Sequence, residues 1–251
     1  MMPTRLLGGL TAVASFVACL VPASSSLADV YELRTYTTAE GKLDALNARF
    51  RDHTVRLFKK HGIESVGYWV PTEGEKSKNT LIYVIKHKSR EGADAAFKAF
   101  GADPEWKKAR KESGVGSLVK LERVFMEATD YSPKWENGSA DDDDVFELRI
   151  YKAAEGKLGK LDARFRDHTI GLFDRHGIES VAYWHPTDEP DSKDTLIYII
   201  KHDSPDAAKV SWKAFFADPD WTRAAKESGV GQLAKSPEVI FMKTTDYSQI
   251  R

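Results

Sequence analysis

Glu32, Arg34 and Tyr36 alternate along a β-rich stretch, residues 30–37, and the period of two in a strand puts all three side chains on one face. Glu147, Arg149 and Tyr151 repeat the pattern further along the chain. An arginine placed like this has two uses. Its planar fork of donors can grip an anion or another polar ligand. It can also pair with the glutamate and seal a buried surface, since buried charges are normally paired. His53 falls on the apolar stripe of a helical segment, between Phe50 and Leu57, and His168 repeats it. A histidine there can act as a general base or as a haem or metal ligand. It can equally be a core histidine bonded to a strand or a tyrosine. The candidate catalytic groups are therefore His53, His168, Tyr36 and Tyr151, and the candidate polar ligand contacts are Glu32, Arg34, Glu147 and Arg149. Tyr68 with Trp69, and Tyr183 with Trp184, supply aromatic bulk that can line a pocket for a flat apolar ligand or simply fill a core.

These residues name no cofactor and no metal. His53 and His61 are too few for a metal site without a third ligand, such as Glu32, brought in by the fold. His61 and His176 stand near helix ends, where a cation complements the helix dipole, which suits a structural role. There is no CxxCH, no Walker loop, no nucleotide-binding glycine fingerprint and no nucleophile elbow. Any reaction would have to run on acid–base, metal or cofactor chemistry.

Internal repetition shows what positions these groups. Residues 48–54, ARFRDHT, return unchanged as 163–169; residues 61–66, HGIESV, return as 176–181; residues 111–116, KESGVG, return as 226–231. This is an internal duplication, and it divides the chain into units at 29–131 and 145–251. Between them, residues 132–144 carry Pro133, Asn137, Gly138 and the acidic run Asp141 to Asp144, and read as a solvated linker. In the first unit, strands are expected over 30–37, 63–70, 80–87 and 118–126. One helix is expected from 43 to 61, closed by Gly62, and a second over 89–113, broken at Pro104. The order β-α-β-β-α-β is the ferredoxin-like arrangement, an α+β fold with both helices on one face of a four-stranded sheet. The other face needs cover, and duplication supplies it: two such sheets pack as an intrachain pseudo-dimer. On that reading the helices cover Tyr31 and Leu33, and Glu32, Arg34 and Tyr36 point into the space between sheets. His185 replaces Val70 and Trp212 replaces Phe97 in the second copy, so two pockets need not be equivalent.

Residues 1–28 have the pattern of a secretory leader: Arg5, an apolar run, then Ser26-Leu27-Ala28 before Asp29. Export to the periplasm or beyond is the expectation, with no membrane span in the mature form. A lipid anchor on Cys19, the only cysteine, is the alternative. Cleavage after Ala28 would leave no cysteine for a disulfide. A formal net charge of -1 gives no bulk attraction to nucleic acid.

Tyr31-Glu32-Leu33-Arg34, Gly41-Lys42-Leu43, His61-Gly62 with Gly67-Tyr68-Trp69, and Asp103-Pro104-Glu105-Trp106 together resemble the NIPSNAP family, and the resemblance runs through both units. It implies the dimeric α/β barrel fold. Other proteins with that fold include monooxygenases, isomerases and dehydratases as well as proteins without a reaction, so the resemblance implies no single activity. Two expectations follow. One is a module that binds a small apolar or anionic ligand or a protein partner; the other is a monooxygenase- or isomerase-type enzyme using a pocket between the first helix and the sheet.

Overall fold

The computed structural model describes residues 29–134 and 140–250. The expected leader with Cys19, and Asn137 and Gly138 of the expected linker, lie outside the described residues.

In the first unit β1 (Val30–Thr37) leads through Gly41, at φ +69°, into a helix. That helix is continuous but not uniform: α1 (Leu43–Arg49) passes through one π-helical turn (Phe50–Thr54) into α2 (Val55–Lys60). The turn is wide because Val55 N–H bonds the carbonyl of Phe50 and the Thr54 hydroxyl donates to the carbonyl of Arg49 at 3.1 Å. Gly62, at φ +75°, ends the helix. β2 (Glu64–Pro71), the short α3 (Lys76–Asn79) and β3 (Thr80–His87) follow. Ser89 caps α4 (Arg90–Ala102) by accepting from Gly92 N–H. Asp103 caps α5 (Pro104–Glu112), with Pro104 in the first turn, where its missing N–H costs nothing. β4 (Lys120–Ala128) completes the unit.

The second unit repeats this: β5 (Val145–Lys152), α6 (Leu158–Arg164), a π turn (Phe165–Thr169), α7 (Ile170–Arg175), β6 (Glu179–Pro186), β7 (Thr195–His202), α8 (Pro205–Ala217), α9 (Pro219–Glu227) and β8 (Glu238–Thr244). A 3-10 turn (Asp191–Lys193) stands where the first unit has α3.

Each unit orders its strands as the ferredoxin-like motif does, and every pairing is antiparallel. The two sheets close on each other into one barrel. β2 pairs with β8 through Trp69, Val70 and Pro71, and β4 pairs with β6 through Met126, Glu127 and Ala128. Closure removes every free sheet edge. Leu33, Trp69, Val84, Leu148, Trp184 and Ile199 meet in the barrel interior, while separate aromatic-rich cores lie between each sheet and its helices.

This reverses the expected facing of β1. Leu33 and Tyr31 face the barrel interior, and Glu32, Arg34 and Tyr36 face the helices. Alternation fixes which side chains share a face. It does not say which face meets which layer when both are covered.

The expected linker is not wholly solvated. Each unit ends in a segment that clasps the other. Asp246 pairs with Arg51, Tyr247 donates to Asn47 Oδ1 at 2.8 Å and Ser248 Oγ accepts from Tyr68 N–H at 3.0 Å. Reciprocally, Asp130 pairs with Arg166, Tyr131 donates to Asp162 Oδ1 at 2.7 Å and Ser132 Oγ accepts from Tyr183 N–H at 2.9 Å. At the other end of the linker Asp144 is buried, accepts from Asp141 N–H and pairs with Lys201. Only Asp141, Asp142 and Asp143 of the acidic run are exposed.

Candidate functional site

The Glu-Arg-Tyr sets of β1 and β5 are internally paired networks. Glu32, with no exposed surface, accepts from Arg34 Nε at 2.9 Å and meets His87 Nε2 at 3.3 Å. Arg34 also donates to the Tyr36 hydroxyl at 3.0 Å and lies flat on Phe97 of α4, 3.9 Å from the ring centre. Burial opposes both charges and loses in both cases. The His87 bond and the Arg34 charge hold the Glu32 carboxyl below its ordinary range. The Tyr83 and Tyr36 phenols and Glu32 hold Arg34 well above its own. In the second unit Glu147 takes Arg149, His202 at 2.8 Å and Trp212 Nε1, and Arg149 donates to Tyr151 at 3.1 Å. Each arginine is committed to its own glutamate and tyrosine. His87 and His202 were not singled out from sequence. The available signal was parity: the last residue of β3 stands diagonally across from Glu32 on the same face.

His53 is half-buried and His168 is exposed; Thr54 and Thr169 take the buried positions in the π turns. The buried threonines turn their hydroxyls back to the carbonyls of Arg49 and Arg164, 3.1 Å away in each unit. His61 and His176 join the end of the first helix to the helical break, bonding Asp103 and Asp218 at 2.8 Å each. Among the described residues no group of three or more His, Cys, Asp and Glu side chains is placed to hold a metal. Tyr68 and Trp69 point to opposite layers, Tyr68 under the helices and Trp69 into the barrel, so they share no pocket; Tyr183 and Trp184 do the same.

A cleft in the first unit lies between the π turn, α5 and the sheet, while His168 lines a separate, carboxylate-rich hollow of about 240 Å³ with Asp167, Arg175, Asp220 and Glu227. The volume of the first-unit cleft is about 240 Å³, and its lining includes Tyr36, Arg49, Phe50, Phe58, Trp106 and Arg110. Tyr36 thus touches both the paired network and the cleft. Arg49 is 6% exposed, and its Nε has no hydrogen-bond partner among the described residues. No carboxylate pairs with it there either; its guanidinium stands 5.1 Å from the centre of the Trp106 ring. Burial pushes its pKa down, and Arg110 pushes it further. Arg49 was not named from sequence, although it sits inside the longest run repeated without change. Arg164 is its counterpart, over Trp221 at 5.1 Å, and Ala225 stands where Arg110 would be.

Two βαββαβ units closing one barrel, with helices outside and a cleft between helix and sheet, define the dimeric α/β barrel class, here built within a single chain. The NIPSNAP sequence profile matches residues 31–133 and 146–249, and the chain belongs to that family. A Dictyostelium discoideum relative, "Protein NipSnap homolog", is 26% identical over 151 residues, which is 59% of this chain and 59% of the relative. This chain therefore matches less than two thirds of that protein's length. Among solved structures, a candidate monooxygenase from Lactobacillus acidophilus NCFM is 11% identical with a TM-score of 0.58, covering 86% of this chain and 94% of its own. An anthrone oxidase-like protein is 14% identical with a TM-score of 0.54, covering 86% and 91%. At these identities the likeness is one of fold. Among the described residues no helix is long and apolar enough to cross a membrane.

Proposed function

We propose that this chain is an exported binding protein for a small anionic ligand, held in the cleft of the first unit. One observation carries the reading. The Arg49 guanidinium is buried beside an open cavity without an acidic partner, whereas Arg34, equally buried, has one. An unpaired charge so far from water costs on the order of several kcal/mol. A cation–π contact with Trp106 offsets about 0.5–2 kcal/mol of that. An anion in the cleft would supply the rest. The cleft's polar side-chain groups are two guanidiniums, the Tyr36 phenol, the Thr54 hydroxyl and the Trp106 indole N–H, with no carboxylate or imidazole among its lining residues. That set suits recognition better than proton transfer, so the oxidase and monooxygenase names of the fold relatives are not carried over.

The test is Arg49→Leu. A ligand-binding arginine, unlike a structural one, should be dispensable for folding. The variant should keep or raise its Tm without ligand. It should also lose the small molecule that native mass spectrometry detects on the wild-type protein purified from its host. A wild-type protein that carries nothing, together with a variant destabilised by several kcal/mol, would sink the reading. Export rests on residues 1–28 and is checked separately: Edman sequencing of the mature protein should begin at Asp29 or Val30. An intact N-terminus would overturn export, and retention in the membrane through an acylated Cys19 would replace free release with anchoring.

A further inference from the structure

We infer that the cleft takes one single-ring aromatic carboxylate per chain, a conclusion that rests on the anion-binding reading above. Size sets the first limit. A cavity of about 150 Å³ holds a benzene. The cleft here, about 240 Å³, adds room for a few further heavy atoms, and it is below the 300 Å³ or so at which sites for drug-sized ligands begin. A fused polycycle, a haem or a nucleotide is too large. Shape sets the second limit. Phe50, Phe58, Phe100 and Trp106 form one continuous set of edge-on and tilted rings: Phe50 with Phe58 at 6.2 Å, Phe58 with Phe100 at 4.9 Å and Phe100 with Trp106 at 4.3 Å between centres. A flat ring inserted among them continues the same packing.

Charge sets the third. Arg49 stands at the buried side and Arg110, which is exposed, at the mouth. A guanidinium fork matches a carboxylate in two parallel hydrogen bonds. A phosphate dianion would call for more charged donors than the two guanidiniums that line the cleft. Leu118 and Leu121 close the cleft on the strand side. The second unit keeps Arg164, Tyr151 and Trp221, but has Ala225 in place of Arg110 and Pro237 in the approach to β8. One of the two cations is therefore missing there, and binding is expected at one site per chain.

The experiment is isothermal titration of the full mature chain with benzoate, benzyl alcohol and phenyl phosphate, on the wild type and on Arg110→Ala. Arg110 is exposed and unpaired, so its removal leaves folding intact, which the Tm verifies. Benzoate should saturate at one per chain and bind about tenfold or more tighter than benzyl alcohol, the effect of one charge-assisted bond. Arg110→Ala should weaken benzoate by a similar factor and leave benzyl alcohol unchanged. Preference for phenyl phosphate, equal binding of the alcohol, or two sites per chain would overturn the carboxylate assignment while leaving the cleft a ligand site. Absence of binding by all three, with a different small molecule found on the native protein and lost in Arg49→Leu, would overturn the ligand class alone. Absence of binding with nothing on the native protein would overturn both readings.

Discussion

The two units share their framework and part company in the layer between helix and sheet. Both have the π turn, the clasp, the buried glutamate–arginine pair and a second buried arginine over a tryptophan. The first unit has Asn47 and Val70 where the second has Asp162 and His185. In the second unit His185 Nδ1–H donates to the Thr195 carbonyl at 2.9 Å, and Nε2 meets Asp162 at 3.0 Å, where Tyr131 also donates. Both ring nitrogens face acceptors, which favours the cationic imidazole. In the first unit the corresponding tyrosine, Tyr247, meets a neutral amide, and no charge is fixed there. Both units keep a buried arginine without an acidic partner among the described residues, Arg49 and Arg164; the first unit sets Arg49 beside a cleft with Arg110 at its mouth, and the second adds a paired charge at His185 and Asp162. The barrel closes through strand pairs that both halves supply alike, and the residues that differ lie in the layer between helix and sheet.

The largest effect should come from what the halves share. Glu32→Ala and Glu147→Ala each strand a buried arginine, at a cost of about 3–5 kcal/mol, or a Tm fall of roughly 10 °C. Glu147→Ala should cost about 1 kcal/mol more, because Trp212 Nε1 loses its acceptor as well. Urea unfolding measures both; equal costs would mean that the Trp212 bond adds nothing. Both carboxyls are held below their ordinary range, so their stabilisation is present above about pH 4.3 and is lost as pH falls through the lower folded value. Variants lacking them should lose correspondingly less on acidification.

The fold was legible because duplication repeats each signal. Strand alternation, the glycine stop of the first helix and the proline break of the second each occur twice, and the structure follows them. The site was less legible. Period two placed Glu32, Arg34 and Tyr36 together correctly but sent them to the wrong layer, since in a closed barrel both faces of a strand are covered. Helical periodicity admits both His53 and Thr54 to the stripe, three and four residues after Phe50, and only the fold shows that the threonine is the buried one. Arg49 escaped notice because an arginine in an amphipathic helix reads as solvated until the fold buries it. Its cleft mate Arg110 comes from a helix far along the chain, and only tertiary structure joins them.

The intermediate effect tests the His185 pair. Its pKa is raised: burial lowers it, and the Asp162 bond, the Thr195 carbonyl and the Glu127 charge outweigh burial. A raised histidine stabilises the fold fully below about pH 6.5, and that contribution is lost as pH rises through the folded value. Wild-type stability should therefore fall by about 1 kcal/mol across that window, after allowance for partial exposure. The double variant Asp162→Asn with His185→Val copies the first unit and should flatten the profile. A double variant with the wild-type slope would place the titration elsewhere.

The smallest effect should come from exchanging the aromatic that covers the arginine. Phe97 lies on Arg34 at 3.9 Å, and Trp212 lies on Arg149 at 4.4 Å while also donating to Glu147. Phe97→Trp offers Glu32 a third donor and Arg34 a better π face, each worth less than about 1 kcal/mol. The larger ring also has to find room, which costs energy in a packed layer. Phe97 is half-buried, and its outer edge can move toward solvent, so the gain should win by about 0.5 kcal/mol. The reciprocal Trp212→Phe leaves Glu147 short of a donor and should lose about 1 kcal/mol. Opposite signs in urea midpoints would show that the two networks obey one rule and differ only by a donor. Destabilisation by both would show instead that each layer is fitted to its own ring, and that the halves diverged in packing as well as in charge.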